Sequence, residues 1–138
     1  MSENIVMTQA DLEEARQFFD GDKFATAAAG AVIEKVEYKY ALCSLEIKDI
    51  HRNALGAVMG GTMYTLADFC FAVASNFKQG PTVTVVSQIS FLGQPKGDKL
   101  IAESRLIKDG RKNCFYEIEV RDEGGKVAAV VSCTGAHL

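Results

Sequence analysis

The chain has 138 residues, of which 48% are hydrophobic and 24% charged, and its formal net charge is −3. That length suits one domain with a sizeable core, and the acidic balance argues against broad nucleic-acid binding, which needs a basic footprint. No apolar run reaches the roughly 18 residues needed to span a bilayer, and the N-terminus is polar and acidic rather than signal-like. A cytoplasmic protein that binds neither nucleic acid nor membrane is expected. Cys43, Cys70, Cys114 and Cys133 lie in apolar segments with no Cys-x-x-Cys pair, and the chain has only two His. The thiols therefore read as small buried hydrophobes, and no metal or other cofactor is expected.

In chain order, Thr8 is placed to cap a helix over residues 11–19. Leu12, Ala15, Phe18 and Phe19 give that helix an apolar face, and Gly21 ends it. Residues 1–28 form a helical lead-in to the rest of a single domain, 1–138. Strands follow at 31–38 and 40–48, the second alternating Ala41, Cys43, Leu45 and Ile47 with more polar residues, though the turn between the two is not obvious. From Met63 to Ala74 nearly every residue is apolar and the one charge is Asp68, so residues 60–76 read as a helix buried on all sides. Residues 82–92 put Val83, Val85, Ile89 and Phe91 on one face of a strand, against Thr82, Thr84, Gln88 and Ser90. A turn at 93–98 leads to a strand at 99–108, and Asp109-Gly110 signals a tight hairpin with positive φ. Strands at 112–121 and 126–135, joined through Asp122-Glu123-Gly124-Gly125, complete what reads as a meander. A sheet curled around one central helix accounts for this α+β pattern.

The ordered set Asn53, Gly56, Met59-Gly60-Gly61 and Leu66-Ala67-Asp68 resembles the signature of hotdog-fold acyl-CoA thioesterases, in the phenylacetic-acid-degradation branch. The strand at 82–92, Pro95, Gly97-Asp98, the Lys108-Asp109-Gly110-Arg111 hairpin and Gly124-Gly125-Lys126 follow the same layout, so the resemblance covers about residues 30–138. It implies a hotdog fold, a curled antiparallel sheet wrapped around a long central helix. It also implies hydrolysis of acyl-CoA thioesters, with coenzyme A as part of the substrate.

On that resemblance Asp68 is the carboxylate that activates water or attacks directly, and the Gly60 amide binds the carbonyl oxygen. Both roles suit elementary chemistry. The first amides of a helix lack intrahelical partners and sit at its positive end, while glycine at 60 and 61 lets substrate approach the main chain. A carboxylate in apolar surroundings is desolvated and so more basic. A lone Asp in a buried helix also has a structural reading, as a hydrogen-bond acceptor. Asn53 either orients water or carbonyl or simply forms a turn. Thr84 stands where the family often carries a hydroxyl that assists the water, and strand propensity also explains a Thr there.

The family's His before Gly-Gly is Met59 here, whose thioether cannot donate a hydrogen bond or relay a proton. The backbone donor does not depend on that side chain. Met59 and Gly61 are carried as substrate-binding positions, and His51 reads as a loop residue. Lys96, Lys108, Arg111 and Lys112 form a basic set around two turns, suited either to solvated hairpins or to the phosphates of coenzyme A, with Lys108, Arg111 and Lys112 carried as substrate-binding. Gly60 and Asp68 are eight residues apart, about 12 Å along a helix, too far for one chain to use both on one carbonyl. Hotdog enzymes meet this with a dimer in which one subunit supplies the Asn and glycine end and the other the Asp, so the resemblance implies a homodimer or homotetramer with shared sites. The alternatives are an acyl-CoA-binding hotdog protein with little catalysis, favoured by Met59, and a hydratase or dehydratase, for which His51 is out of place.

Overall fold

The computed structural model of the protein describes residues 8–138. Residues 1–7, which carry the expectation that no signal segment is present, lie outside the described residues. Thr8 caps helix α1 (Gln9–Phe19). Its hydroxyl accepts from the Asp11 N–H at 3.2 Å while the Asp11 carboxylate accepts from the Thr8 N–H at 2.8 Å, so two orphan amides are satisfied together. Ala15 and Phe19, one turn apart, point inward. Phe18, expected on the same face, is left in solvent, its ring edge-on to Phe19.

A π-helical turn (Phe24–Ala28) then leads into strands β1 (Ala31–Glu37) and β2 (Tyr40–Glu46). Their turn was not legible because its left-handed residue is Lys39, at φ 62°, rather than a glycine or asparagine. Helix α2 (Gly60–Asn76) has the bounds the sequence implies, and β3 (Thr82–Phe91), β4 (Lys99–Asp109), β5 (Asn113–Asp122) and β6 (Val127–His137) follow. Gly110 does not take the left-handed conformation expected of it. The β4–β5 hairpin closes instead through a longer connection in which the Gly110 N–H donates to the Asn113 carbonyl at 2.7 Å.

All pairings are antiparallel, in the order β1-β2-β4-β5-β6-β3. Only β4, β5 and β6 form a meander. The segment 93–98 is a crossover, because β3 pairs with β6 at the far edge while β4 returns to lie between β2 and β5. Asp122 pins that crossover. One carboxylate oxygen accepts from the Lys96 N–H at 2.8 Å and the other from the Gly124 and Lys126 N–H groups.

The sheet curls around α2, burying Met63, Leu66, Ala67, Cys70, Val73 and Ala74 against inward residues such as Cys43, Leu45, Ile118 and Val131. The helix is not covered on all sides, as its composition suggested. Gly61, Tyr64, Thr65, Asp68 and Ala72 recur every three or four residues and form one open stripe. The two sheet edges also differ. At β1, the Arg16 guanidinium donates to the Ile33 carbonyl at 2.8 Å and pairs with Glu34. At β3, Val83, Val85, Val86 and Phe91 are exposed, and a bulge between Thr84 and Val86 breaks the alternation read from the sequence. Among the described residues no helix is long and apolar enough to cross a membrane, and all four cysteines are free and buried.

Candidate active site

The open stripe of α2 faces a cavity of about 740 Å³. Gly61, Tyr64, Thr65, Asp68 and Ala72 line it from the helix, Asp22 to Ala25 from the lead-in, and Ser87 from β3. Asp68 opens onto this space instead of being sunk in the core as its apolar flanks implied. Among the described residues its carboxylate has no hydrogen bond and no ion pair, so the structural reading of Asp68 as an acceptor finds no donor. Although one side of the group is accessible, helix and sheet crowd the other. That desolvation, with a smaller contribution from the negative charge of Asp22, raises the Asp68 carboxyl above its ordinary value.

A base that must be ionised to work shows its titration as the acid limb of kcat/KM. Removing a like charge makes ionisation easier and lowers the pKa. Asp22→Asn is therefore expected to move the acid limb of the pH–rate profile to lower pH. An unmoved limb would mean that Asp22 does not act on the group that titrates there.

The N-terminus of α2 supplies donors. Met59 N–H is bonded to the His51 carbonyl at 2.8 Å and Thr62 N–H to the Met59 carbonyl at 2.9 Å. The Gly60 and Gly61 amides have no acceptor among the described residues, and no side chain caps the helix. The two glycines differ in what they face. A methyl at Gly60 would meet the Phe91 ring at 2.8 Å, whereas one at Gly61 would touch only the Met59 terminal methyl at 3.3 Å. Gly61 also lines a second cavity, about 270 Å³, with His51, Met59 and Thr62. The two cavities share Phe24, Gly61 and Thr65, so Gly61 borders both the space around Met59 and the space that Asp68 lines, while Gly60 lines neither.

The other sequence candidates are more dispersed. Asn53 Oδ1 accepts from the Leu55 and Ala57 amides at 3.0 and 3.1 Å, which is the turn-forming role, leaving only its Nδ2 for a ligand. Met59 is half exposed. Thr84 lies on the edge strand opposite Gly135 and is not part of the wall around Asp68; Ser87, on the same strand, is. Lys96 lies in the crossover before β4, and Lys108, Arg111 and Lys112 lie around its far end, so the basic set divides into two groups about 30 Å apart.

His51 is buried rather than a free loop residue. Its Nδ1 accepts from the Lys48 N–H at 2.9 Å and its Nε2 faces the Ala29 carbonyl at 2.6 Å. Only a neutral ring carrying its proton on Nε2 satisfies both, which leaves no nitrogen for hydratase chemistry.

Among the described residues, one group of side chains has metal-ligand character. Asp109, Cys114 and His137 bring one ligand atom each within 4.8 Å of one another. The His137 and Asp109 side chains are held by hydrogen bonds and an ion pair within the protein. His137 Nε2 pairs with Asp109 at 2.8 Å and Nδ1 with the Thr82 hydroxyl at 2.8 Å, while Lys39 holds the second Asp109 oxygen.

Sequence reading missed Asp22, Phe24 and Ser87 as lining of this cavity. None belongs to a motif. Tyr64 lies on the helix that was read as buried on all sides, and its hydroxyl instead opens onto the cavity wall.

Comparisons with known proteins bear on the family and the fold. The Escherichia coli acyl-coenzyme A thioesterase PaaI is 26% identical over 125 residues, 90% of this chain and 89% of that one. The structure of the E. coli PaaI protein from the phenylacetic acid degradation operon superposes with a TM-score of 0.85 over 96% of both chains at 21% identity. A hypothetical thioesterase protein from Streptococcus pneumoniae, solved with coenzyme A, gives 0.79 over 87% of this chain and 96% of that one at 20% identity. The fold is the hotdog α+β fold. The model of the thioesterase superfamily matches residues 55–129, and the chain belongs to that superfamily.

Proposed function

We propose that this protein hydrolyses acyl-CoA thioesters to the free acid and coenzyme A, at sites shared between two copies of the chain. The observation that carries the reading is the unpartnered Asp68 carboxylate, raised in basicity and open to a cavity that could seat an acyl group. Asp68 takes a proton from water as the water oxygen bonds to the thioester carbon. The glycine amides at the start of the partner's α2 hold the developing oxyanion, each such donor being worth about 3 kcal/mol in comparable sites. Collapse of the tetrahedral species breaks the C–S bond, and the thiol leaves with the proton from Asp68.

Sharing follows from distance and from the β3 edge. An amide about 12 Å along the helix cannot serve the same carbonyl as Asp68. The β1 edge is blunted by Arg16 and charged neighbours, whereas β3 presents apolar side chains beside unpaired backbone groups, an arrangement that invites pairing with another strand. A second copy pairing through β3 about a two-fold axis covers it and carries Asn53 Nδ2, Thr84 and the hairpin cations toward the neighbouring site. Further association into tetramers is compatible with this pairing. The free thiols fit a reducing cytoplasmic setting.

A thiol-release assay over aromatic, short-chain and long-chain acyl-CoAs, run beside Asp68→Asn, tests the reading. Saturable release that disappears in the variant is expected. Tight calorimetric binding with no release from any acyl-CoA would instead support a binding protein, the reading that Met59 favours. Arg111→Glu is expected to raise KM for acyl-CoA with little change in kcat, because phosphate contacts act on binding. An unchanged KM would remove the hairpin from the site.

A further inference from the structure

Register across β4, β5 and β6 brings three ligand-type side chains to one place. Asp109 stands opposite Cys114 across the β4–β5 ladder, and Cys114 stands opposite Gly135 across β5–β6. Residues directly opposite point to the same face, and so does a residue two further along a strand. Asp109, Cys114 and His137 therefore share the inner face, where Cys114 is 1% exposed. Gly135 leaves the sulfur its room, because a methyl there would meet Cys114 Sγ at 2.8 Å and the Thr82 methyl at 2.7 Å. Nothing in the spacing of the three along the chain marks a metal motif; only the folded sheet assembles them.

The three ligand atoms lie within 4.8 Å of one another. A tetrahedral zinc ion, bonded at about 2.0–2.3 Å to nitrogen, oxygen and sulfur, needs its ligands about 3.3–3.8 Å apart. His137 Nε2 and Asp109 Oδ1, at 2.8 Å, separate by about half an ångström to admit it, and the sulfur closes in by at most about 1.5 Å. Side-chain rotation covers both movements. The outer contacts are already in place. Thr82 Oγ1 is 2.8 Å from His137 Nδ1, and Lys39 holds the second Asp109 oxygen. Contacts of this kind set the tautomer and the aim of metal ligands. Asp109 and His137 also line a cavity of about 310 Å³, which gives an ion its entry and a water the fourth position.

We infer that Asp109, Cys114 and His137 form a binding site for a borderline divalent transition metal, zinc foremost. One imidazole nitrogen, one thiolate and one carboxylate oxygen are a donor set that such an ion selects. On binding, the neutral imidazole carries its proton on Nδ1, directed at Thr82 Oγ1, and frees Nε2 for the metal. The Cys114 thiol releases its proton to solvent, and the two anionic ligands balance the charge of the ion. The Lys39 ammonium opposes the ion, so the site is weaker than the same three ligands would be without it. The bound metal ties together the ends of β4, β5 and β6. Asn76, at the end of α2, bonds Thr82 beside the site, about 24 Å along the helix from Gly60. The inference therefore does not depend on the hydrolytic reading.

The full chain, stripped with chelator and dialysed, is titrated with CoCl2 followed by absorption, and with ZnCl2 followed by calorimetry and thermal melting. One cobalt per chain with a thiolate-to-metal charge-transfer band is expected. Zinc at about a hundredfold over its Kd should raise the melting temperature by roughly 5–10 °C. Cys114→Ser should abolish the band, and His137→Gln should weaken zinc binding by at least the ~10-fold that lost outer contacts cause. Lys39→Gln should tighten it. His137 is 27% exposed at the end of β6, so its variant keeps the test decisive should Cys114→Ser fold poorly. Absence of the band from the unmodified chain, or zinc binding of undiminished strength in His137→Gln, would overturn the inference.

Discussion

Asp68→Asn is expected to lower kcat/KM for acyl-CoA hydrolysis by about 10²–10⁴-fold, the range a positioned general base supplies. The same change should leave the fold intact and raise the melting temperature at neutral pH. The folded chain raises the Asp68 carboxyl above its ordinary value, so ionisation opposes folding. That penalty is absent below the ordinary carboxylate pKa and is fully present once pH exceeds the raised one. An uncharged amide of the same shape removes it. Circular dichroism melts beside the thiol-release assay check both halves. A variant that loses activity by unfolding would place Asp68 among the structural residues, and one that keeps its turnover would end its catalytic role.

Charging the β3 edge has the second large effect. Val85 and Val86 are 54% and 61% exposed in the single chain, an arrangement that invites pairing with another strand. Val85→Lys with Val86→Lys is expected to convert the oligomer to a monomer in light scattering, because like charges brought face to face across a two-fold axis repel. If each site takes its oxyanion donors from the partner, the monomer should also lose nearly all turnover while keeping its circular dichroism spectrum. Full activity in a monodisperse monomer would show that one chain is sufficient. An unchanged oligomer would mean that the copies meet elsewhere.

Much of the fold was legible because the local signals agree with one another. Helix α2 matches its expected bounds: Gly60-Gly61 opens it, apolar residues fill it, and no interior residue breaks it. The alternation in β2 and β5 translated directly into burial, with Ala41, Cys43, Leu45, Tyr116 and Ile118 all inward. Strand order was not legible. The 93–98 segment has turn chemistry, and nothing local distinguishes a hairpin from a crossover to the other side of a neighbour. β3 misled for a related reason, since its alternation implied one buried face whereas an edge strand with a bulge keeps most of its apolar residues exposed.

The site divides in the same way. Asp68 stands out in sequence as the only charge on an apolar helix, and its position there requires some explanation. Its accessibility could not be read, because the open stripe depends on where the sheet stops rather than on the composition of α2. Ser87 was invisible for the opposite reason: a Ser in a strand carries no signal until the helix beside it brings Tyr64 within 2.7 Å. Asn53 had two readings, and its side-chain oxygen is occupied by the loop it closes.

The central claim, that the carboxylate and the amide donors of one site come from different chains, is tested most directly by mixing two inactive variants. Asp68→Asn removes the base, and Gly61→Val crowds the amide end, where the open side of the glycine can take a side chain. After unfolding and co-refolding, a mixed dimer has one site with both lesions and one with neither. A statistical mixture should recover about a quarter of wild-type activity, from two preparations that separately have almost none. No recovery, with mixed dimers demonstrated by mass spectrometry, would contradict the shared site.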